Sequence, residues 1–333
     1  MKRATIKDIS LIVGVNPSTV SRALHDHPDI SPAIKAEVKR VAEELKYHPN
    51  QMAANLRKNR SQLIGLIIPE ITMFFFPSVI RGIEAVLKEE GFRLLVLQSN
   101  DSLEGEKSNL RICSDYLVDG VLLSLSSEST SAAHLEEFRE MGIPIVLFDK
   151  SAPGADFDEV LIDDVQASLD CVRYLISLGC KRIAGLFGNP DMVITQNRLE
   201  GFRKAIEESG DAGNMIPPLF AKTKEEARNR SREWIRKYKP DAFFFMSDEV
   251  AAGLLPAVKS EKLAVPDQCK IIGISDGQLP YILDPPVSFF HHDGFEMGQM
   301  AARQLIHRIK NQNDSQPARI LFQKGSIQFL ESA

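Results

Sequence analysis

The side chains best suited to binding chemistry in this chain lie in one short polar segment near the N-terminus. Asn16, Ser18, Thr19, Ser21 and Arg22 follow one another at positions compatible with a helix. Small hydroxyl and amide side chains hydrogen-bond base edges in the major groove of DNA, and a guanidinium bonds guanine through two donors. We therefore expect Arg22 to contact a base. The alternative is an ordinary surface helix that is rich in serine and threonine.

A second segment, residues 47–60, combines polar, apolar and basic side chains. Leu56 is followed directly by Arg57 and Lys58, with Arg60 close behind. An apolar wedge that opens a base step, with cations beside it that hold phosphates, is typical of minor-groove readers. We expect Leu56 to be such a wedge, and a basic linker is the alternative.

The elements that must position these residues are short helices. Thr5 and Asp8 have the spacing of a capping box at the start of the first helix, and Gly14 suits its left-handed end. Asn16, as N-cap, and Pro17 begin a second helix that carries the polar segment. The apolar stripe of the first helix is expected to consist of Ile6, Ile9, Ile12 and Val13.

A third helix is predicted at residues 31–45. Because two short helices cannot bury a core alone, the third must pack across them, as in a helix-turn-helix unit. The residues expected to face this core are Ile34, Val38, Val41 and Leu45, together with Val20 and Leu24 of the second helix.

The charge of the chain is unevenly distributed. Residues 1–60 contain 11 lysines and arginines against 6 acidic residues, a net charge of +5, whereas the remainder carries −10. A basic head on an acidic body is expected when only the head meets the phosphate backbone of a nucleic acid.

From Leu63 onward, short β-branched runs alternate with amphipathic helical patterns. Near-continuous apolar strands separated by helices predict parallel sheets that are covered on both faces. Two such series occur, which favours two doubly wound lobes. The predicted strands are 63–68, 93–98, 120–123, 144–148, 182–187, 242–246, 270–274, 287–290 and 320–322.

Aromatic and acidic residues are predicted at the carboxyl ends of the first series of strands, where ligands bind in doubly wound sheets. Phe74, Phe75 and Phe76 follow the first strand, in a loop before a helix at 77–90. They suit stacking on a sugar-like ligand and, equally, hydrophobic capping of that helix. Asp149 directly follows the fourth strand.

The second series ends in polar residues as well. Arg198 lies near the start of a predicted helix, where a cation is electrostatically unfavourable, so we expect a polar partner for it. Ser247 and Asp248 follow one strand, and Asp248 is more typical of a helix N-cap than of a ligand contact. Ser275 and Asp276 follow the next strand.

Three motifs succeed one another in the head: ATIKDI at residues 4–9, VNPSTVSRAL at 15–24 and YHPN at 47–50. Shorter motifs continue through the body, such as RLEGF at 198–202 and EMG at 296–298. In these motifs the chain resembles the lactose-repressor/galactose-repressor (LacI/GalR) family of bacterial transcriptional regulators, over essentially its whole length.

The resemblance implies an N-terminal all-α helix-turn-helix head and an α/β body of two doubly wound lobes, similar to periplasmic binding proteins. It implies a homodimer on a pseudo-palindromic operator in double-stranded DNA, with a hinge helix over 50–58 whose Leu56 enters the minor groove. An effector bound between the lobes, a sugar or sugar derivative, would modulate operator affinity. The DNA-contacting residues expected from pattern and resemblance are Thr5, Asn16, Pro17, Ser18, Thr19, Ser21, Arg22, Tyr47, Asn50, Leu56 and Arg57.

The resemblance also implies effector-contacting positions and shows one departure. After the glycine–aromatic pair the family often has two acidic residues, where this chain reads Gly273-Ile274-Ser275-Asp276. Either Asp276 substitutes for the missing carboxylate or the ligand differs. The implied effector contacts are Phe75, Phe76, Asp149, Arg198, Phe244, Ser247, Ser275 and Asp276.

Other classes of protein are disfavoured. No GxGxxG follows the first strand, and no GxxxxGK[ST] or HExxH occurs, so we expect neither an enzyme nor a cofactor. His291 and His292 would point to opposite faces of a strand, which argues against a shared metal. The four cysteines form no CxxC pair, which favours reduced, buried thiols.

No apolar window is long enough for a membrane span, and the basic N-terminus precedes no apolar signal region. We therefore expect a cytoplasmic protein without membrane contacts. The missing export signal and the attached basic head disfavour a free sugar-binding carrier, which the body alone would suggest. The expected domains are a head at 1–48, a hinge or linker at 49–61 and a body at 62–333, with lobe 1 near 62–162 and 292–322 and lobe 2 near 163–291 and 323–333.

Overall fold

The computed structural model describes residues 4–47, 61–71, 75–154, 156–210, 216–311 and 317–333. The chain divides into two compact units, Met1–Arg60 and Ser61–Ala333, which are named the head and the body.

The described part of the head consists of helices α1 (Ile6–Val13), α2 (Pro17–Leu24) and α3 (Pro32–Glu44). The predicted capping box is present: the Thr5 backbone N–H donates to the Asp8 carboxylate at 2.8 Å, and the Asp8 N–H donates to the Thr5 hydroxyl at 3.4 Å. Gly14 ends α1 at a φ of 75°, which glycine adopts without strain. The prediction of three short helices is confirmed.

One apolar core holds these helices together. Leu24, Ile34 and Leu45 lie half-buried at its edge. The prediction is wrong for Ile12, which is 58% exposed. Around the axis of α1, Ile6 and Val13 lie on one side of Ile9 and Ile12 lies on the other. The side that carries Ile6 and Val13 packs on the core, and the side that carries Ile12 does not. The fully buried core residues are Ile9, Val20, Ala23, Val38 and Val41.

The described body contains twelve strands in two sheets. In chain order they are β1 (Leu63–Ile68), β2 (Arg93–Gln98), β3 (Gly120–Leu123), β4 (Ile145–Phe148), β5 (Asp158–Ile162), β6 (Ile183–Phe187), β7 (Leu219–Phe220), β8 (Ala242–Phe245), β9 (Lys270–Ser275), β10 (Ser288–His291), β11 (Ile320–Gln323) and β12 (Ser326–Gln328).

Both sheets have six strands and the same doubly wound order. Sheet 1 runs β11-β5-β4-β3-β1-β2 and is parallel throughout. Sheet 2 runs β12-β10-β9-β8-β6-β7, and only β12 is antiparallel to its neighbour. β11 and β12 lie in different sheets, so the chain returns from one lobe to the other near its end. The predicted two-lobed α/β body is confirmed.

Helices cover the sheets. Gly82 and Gly298 allow two of these helices to approach closely: a Cβ on Gly82 would collide with the Phe295 carbonyl oxygen, and one on Gly298 with that of Val79. The helices are α4 (Phe75–Glu89), α5 (Leu103–Asp115), α6 (Glu136–Glu140), α7 (Asp164–Ser177), α8 (Val193–Glu208), α9 (Lys224–Tyr238), α10 (Asp248–Ser260), α11 (Leu279–Ile282) and α12 (Gly294–Lys310).

The sequence interpretation misses strand β5. Asp158 and Glu159 open this strand and do not match an apolar pattern, yet both are buried. Asp158 is accommodated because Arg308 Nε donates to it at 2.6 Å and Gln304 Nε2 at 2.7 Å, both from α12. Partners distant in sequence therefore determine this strand. The two- and three-residue strands β7 and β12 and the short helix α11 are also missed.

The cysteines are buried and free, as predicted. Among the residues that the structure describes, no helix is long and apolar enough to cross a membrane. Nor do the described His, Cys, Asp and Glu side chains form a group of three or more that could hold a metal ion.

Candidate nucleic-acid interface and ligand cleft

The polar face of α2 is directed outward. Asn16, Pro17, Ser18 and Arg22 are exposed, whereas Val20 is buried in the head core. Asn16 occupies the N-cap position, but its side chain makes no capping hydrogen bond. Its amide is therefore not used to stabilise the helix. Thr19 and Ser21, the other predicted contacts on α2, are half-buried.

Arg22 differs from two other cations of the head. Lys39 lies 2.7 Å from the Asp26 carboxylate, and Arg40 lies 2.6 Å from that of Glu37. Within residues 4–47, Arg22 forms no ion pair. Its guanidinium extends from an exposed helical face, as a base or phosphate contact requires.

Thr5 and Tyr47 are placed differently from the α2 residues. The Thr5 hydroxyl donates to the Asp8 carboxylate at 2.7 Å, so this side chain stabilises the start of α1. Tyr47 is half-buried against the head core. Three further predicted DNA contacts, Asn50, Leu56 and Arg57, lie outside the described residues, as do the hinge helix and Phe74, and those predictions remain untested.

In the body, a cavity of about 390 Å³ opens at the carboxyl ends of strands from both sheets. This is where doubly wound sheets bind ligands. The cavity brings together seven of the eight predicted effector contacts: Phe75, Phe76, Asp149, Arg198, Ser247, Ser275 and Asp276.

Arg198 has the polar partner that was expected for it. The guanidinium Nε donates to Asp164 at 2.7 Å and Nη1 donates to the Met246 carbonyl oxygen, with Arg198 only 4% exposed. Burial raises the pKa of Asp164 to about 6, although Arg198 acts to lower it. Since α8 begins at Val193, Arg198 lies in its second turn and not at its start as predicted.

Asp149 follows β4 in a left-handed conformation, with a φ of 68°. Its carboxylate accepts a hydrogen bond from the Ser124 hydroxyl at 3.1 Å. Burial raises the pKa of Asp149, with Lys150 and Arg198 opposing the rise. A non-glycine residue in this conformation aims its side chain away from the strand direction, which suits a functional position.

Asp248, Ser275 and Asp276 form one wall of the cavity. The Ser275 hydroxyl donates to Asp248 Oδ2 at 3.0 Å and accepts from the Gly277 N–H at 3.1 Å. Asp276 Oδ1 accepts from the Gln278 N–H at 3.3 Å. Burial raises the pKa of Asp248 to about 8. Ser247, not Asp248, is the N-cap of α10, so the prediction of Asp248 as the cap is corrected by one residue.

An aromatic group forms another part of the wall. The ring centroids of Phe75 and Phe76 are 5.2 Å apart, and those of Phe75 and His292 are 5.3 Å apart, both edge-on. Phe75 and Phe76 belong to the first turn of α4 and not to a preceding loop as predicted. Burial lowers the pKa of His292 to about 3, so its imidazole is neutral.

One hydrogen bond joins the two lobes across the cavity. Asn189, which follows β6 in sheet 2, donates from Nδ2 to the Ser127 carbonyl oxygen at 3.0 Å. Ser127 follows β3 in sheet 1, and its N–H and hydroxyl both donate to Asp101. All three residues line the cavity.

Comparison with known proteins agrees with this architecture. The family model of the bacterial regulatory proteins of the lacI family matches residues 5–50, and that of the periplasmic binding protein-like domain matches residues 172–327. Over 323 residues the chain is 31% identical to the HTH-type transcriptional repressor CytR of Escherichia coli strain K12, covering 96% of this chain and 93% of CytR. The chain belongs to the lacI family. It is a DNA-binding transcriptional regulator.

Other known proteins are similar to this chain in sequence or in fold. The ribose operon repressor of Escherichia coli strain K12 is 30% identical over 332 residues, which cover 97% of this chain and 99% of that repressor. The lac repressor dimer bound to operator and the anti-inducer ONPF superposes with a TM-score of 0.87 at 18% identity, covering 99% of both chains. A complex of the transcriptional regulator CelR with cellobiose has a TM-score of 0.72 at 25% identity, covering 99% of this chain and 100% of CelR.

Within this lacI-family fold, the structure does not support Phe244 as an effector contact. Phe244 is fully buried and packs on Phe187 and Phe202, with ring centroids 5.8 and 6.0 Å away. It lies inside β8, before the strand reaches the cavity, so its side chain belongs to the core of lobe 2.

The sequence interpretation missed other cavity residues. Asp101, Asn189 and His292 line the cavity, and each follows the carboxyl end of a strand by one to three residues. The rule that ligands bind at these ends would have found all three.

Proposed function

We propose that this lacI-family regulator is a homodimeric repressor that binds a pseudo-palindromic operator, and that a small molecule in the body cleft controls its operator affinity. One observation carries the proposal: α2 presents an exposed polar face with an unpaired Arg22, above a core that holds the helix in place. A helix that presents such side chains fits the major groove.

The dimer and the operator are supported by the lac repressor, whose dimer is bound to operator in a structure of the same fold. Two heads related by a twofold axis would read two half-sites, which makes the DNA site palindromic. We expect this regulator to act in the cytoplasm, because the operator DNA that it would bind is located there.

The effector is supported by the cavity at the strand ends and by the CelR complex with cellobiose. We infer a sugar or sugar derivative that lies between the lobes and modulates operator affinity. A ligand can do so only if it binds one arrangement of the lobes more tightly than the other. We further infer that the protein is not an enzyme, since CytR and the ribose operon repressor, to which it is similar, are repressors.

The residues that we propose for each role follow from their placement. Ser18, Thr19, Ser21 and Arg22 would contact bases or phosphates, with Asn16 and Pro17 at the start of the helix. Thr5 and Tyr47 would contact phosphates from the edge of the head. Phe75, Phe76, Asp149, Arg198, Ser247, Ser275 and Asp276 would surround the effector.

Selection of binding sites from a random duplex library tests the DNA-binding role. We expect a palindromic consensus for the native protein, and for Arg22→Ala a loss of base preference at one position of each half-site worth about 1–3 kcal/mol. Lys7→Ala, which removes an exposed charge on α1, is the control and should weaken binding without changing the consensus. An unchanged consensus for Arg22→Ala refutes the assigned base contact.

A further inference from the structure

The cavity has an acidic lining. Six carboxylic side chains line it against three lysine and arginine side chains. Arg198, one of these three cations, is already paired with Asp164 behind the wall. Carboxyl groups therefore outnumber lysine and arginine side chains in the lining. The six carboxylic residues are Glu70, Asp101, Asp149, Asp248, Glu249 and Asp276.

Two buried carboxylate oxygens in this wall are unpartnered. Asp248 Oδ1 and Asp276 Oδ2 have no hydrogen-bond partner among the described residues, and each residue is only 8% exposed. The other oxygen of each carboxyl group is used, by the Ser275 hydroxyl and the Gln278 N–H. Burying an ionised acceptor without a partner costs free energy, so each carboxylate oxygen would be stabilised by a donor that reaches it.

Among the described residues, the charged side chains around Asp248 and Asp276 do not donate a hydrogen bond to either unpartnered oxygen. Asp276, Glu249 and Arg198 act on Asp248, and the two acidic neighbours raise its pKa together with burial. His291, Glu249 and Asp293 act on Asp276. Arg198 is the only lysine or arginine in these sets, and its guanidinium is held by Asp164 and Met246.

We propose that the cleft binds a ligand that carries a protonated amine, placed between Asp248 and Asp276, and excludes ligands that carry phosphate or carboxylate. An ammonium group supplies both missing donors and neutralises the wall, whereas an anion would add repulsion. Phe75 and Phe76 offer apolar contact to the remainder of the ligand. An amino sugar combines these properties. This inference deepens the proposed function, on which it rests for the role of the cleft as effector site.

Titration calorimetry on the full chain tests the ligand class with matched probes. These are glucose, galactose and mannose, each as the neutral sugar, the 2-amino-2-deoxy sugar and the 6-phosphate. For at least one sugar we expect the amine to bind ten-fold or more tightly than the neutral form, with no binding of the phosphate. Binding of a neutral or phosphorylated member as tight as that of its amine, or no binding of any amine, overturns the proposal.

Two variants and a control locate the contact. Asp248→Asn and Asp276→Asn should each weaken amine binding at least ten-fold, since each removes one carboxylate from the pair. Glu200→Gln makes the same change of charge on the exposed surface of α8, outside the cavity, and should leave the affinity within two-fold. Unchanged amine affinity in both aspartate variants overturns the proposal.

Proton release gives a readout that a purely structural effect would not change. Because the pKa of Asp248 is raised to about 8, the empty site holds a proton at pH 7 that an ammonium ligand displaces. Calorimetry in two buffers of different ionisation enthalpy should detect this release for the native chain and not for Asp248→Asn. Equal heats for the native chain in both buffers contradict the inference.

Failure of this inference is distinguishable from failure of the proposed function. If a neutral sugar binds and dissociates the protein from its selected duplex, the ligand class is wrong and the regulatory role stands. If no duplex is selected, the proposed role in repression is wrong, while the calorimetric comparison still decides the ligand class.

Discussion

Replacement of Arg198 by alanine should have two separable consequences. Arg198 and Asp164 form a buried pair with 2.7 Å between Nε and Oδ1, and their side chains are 5% and 6% exposed. Removal of one member of such a pair costs about 3–5 kcal/mol, because the other is left buried without a partner. For a unit as large as the body, 1 kcal/mol corresponds to about 2 °C, so we expect Arg198→Ala to lower the melting temperature by about 6–10 °C.

The size of this effect should depend on pH in a defined direction. The pKa of Asp164 is raised to about 6 in the native protein, so the carboxyl group is largely neutral at pH 5 and ionised at pH 8. The ion pair is therefore complete only at the higher pH. We expect the loss of stability in Arg198→Ala to be larger at pH 8 than at pH 5, as measured by calorimetric unfolding of the body transition.

Controls separate this mechanism from a general effect of mutation. Arg203→Ala removes an exposed arginine from the same helix and should change the melting temperature little. Asp164→Asn in the Arg198→Ala background should recover part of the loss, since no carboxyl group is then left buried. Equal melting temperatures for Arg198→Ala and Arg203→Ala would refute the account of the pair. Arg198→Ala should also abolish the ligand response while operator binding by the head persists.

Three further predictions concern other parts of the chain. Asp248→Asn should raise the melting temperature, and by more at pH 8 than at pH 5: burial raises the pKa of Asp248 in the folded protein to about 8, above its ordinary value near 4, so the native carboxyl group destabilises the fold progressively as the pH rises from about 4 to 8. A fall at pH 8 would contradict the raised pKa. Asn189→Ala removes the hydrogen bond to Ser127 across the cleft and should weaken ligand binding about two- to ten-fold, with Gln196→Ala, on the exposed face of α8, as the control in calorimetry. Leu56→Ala should weaken specific DNA binding and leave the melting temperature of the body unchanged; native affinity for the selected duplex would rule out the wedge.

The fold could be predicted wherever local pattern and burial agree. The head helices are predicted because caps at Thr5 and Ser31 and the turn at Gly14 coincide with apolar spacing. Strand β5 is missed because the donors that satisfy the buried Asp158, from Gln304, Arg308 and Arg319, lie about 150 to 160 residues further along the chain. Such a partner is absent from any local window.

The site could be predicted less completely, for a related reason. Residues at the carboxyl ends of strands, such as Asp149 after β4 and Ser275 at the end of β9, are placed at the cavity by the rule for parallel sheets. The prediction misplaces Phe244 in the cavity. A shift of one residue along a strand is enough to move a side chain from the core to another environment. The pairing of Arg198 with Asp164 and the orphaned oxygen of Asp248 depend on contacts between α7, α8, α10 and β9, and a single sequence does not specify those contacts.

Amide hydrogen exchange with and without the selected duplex tests most directly whether α2 is the element that reads DNA. We predict that the amides of 18–24 become strongly protected by the selected duplex, and less so by a scrambled duplex at the same salt concentration. Unchanged exchange over those residues, with protection confined to other parts of the chain, would contradict the assignment of α2 to the major groove.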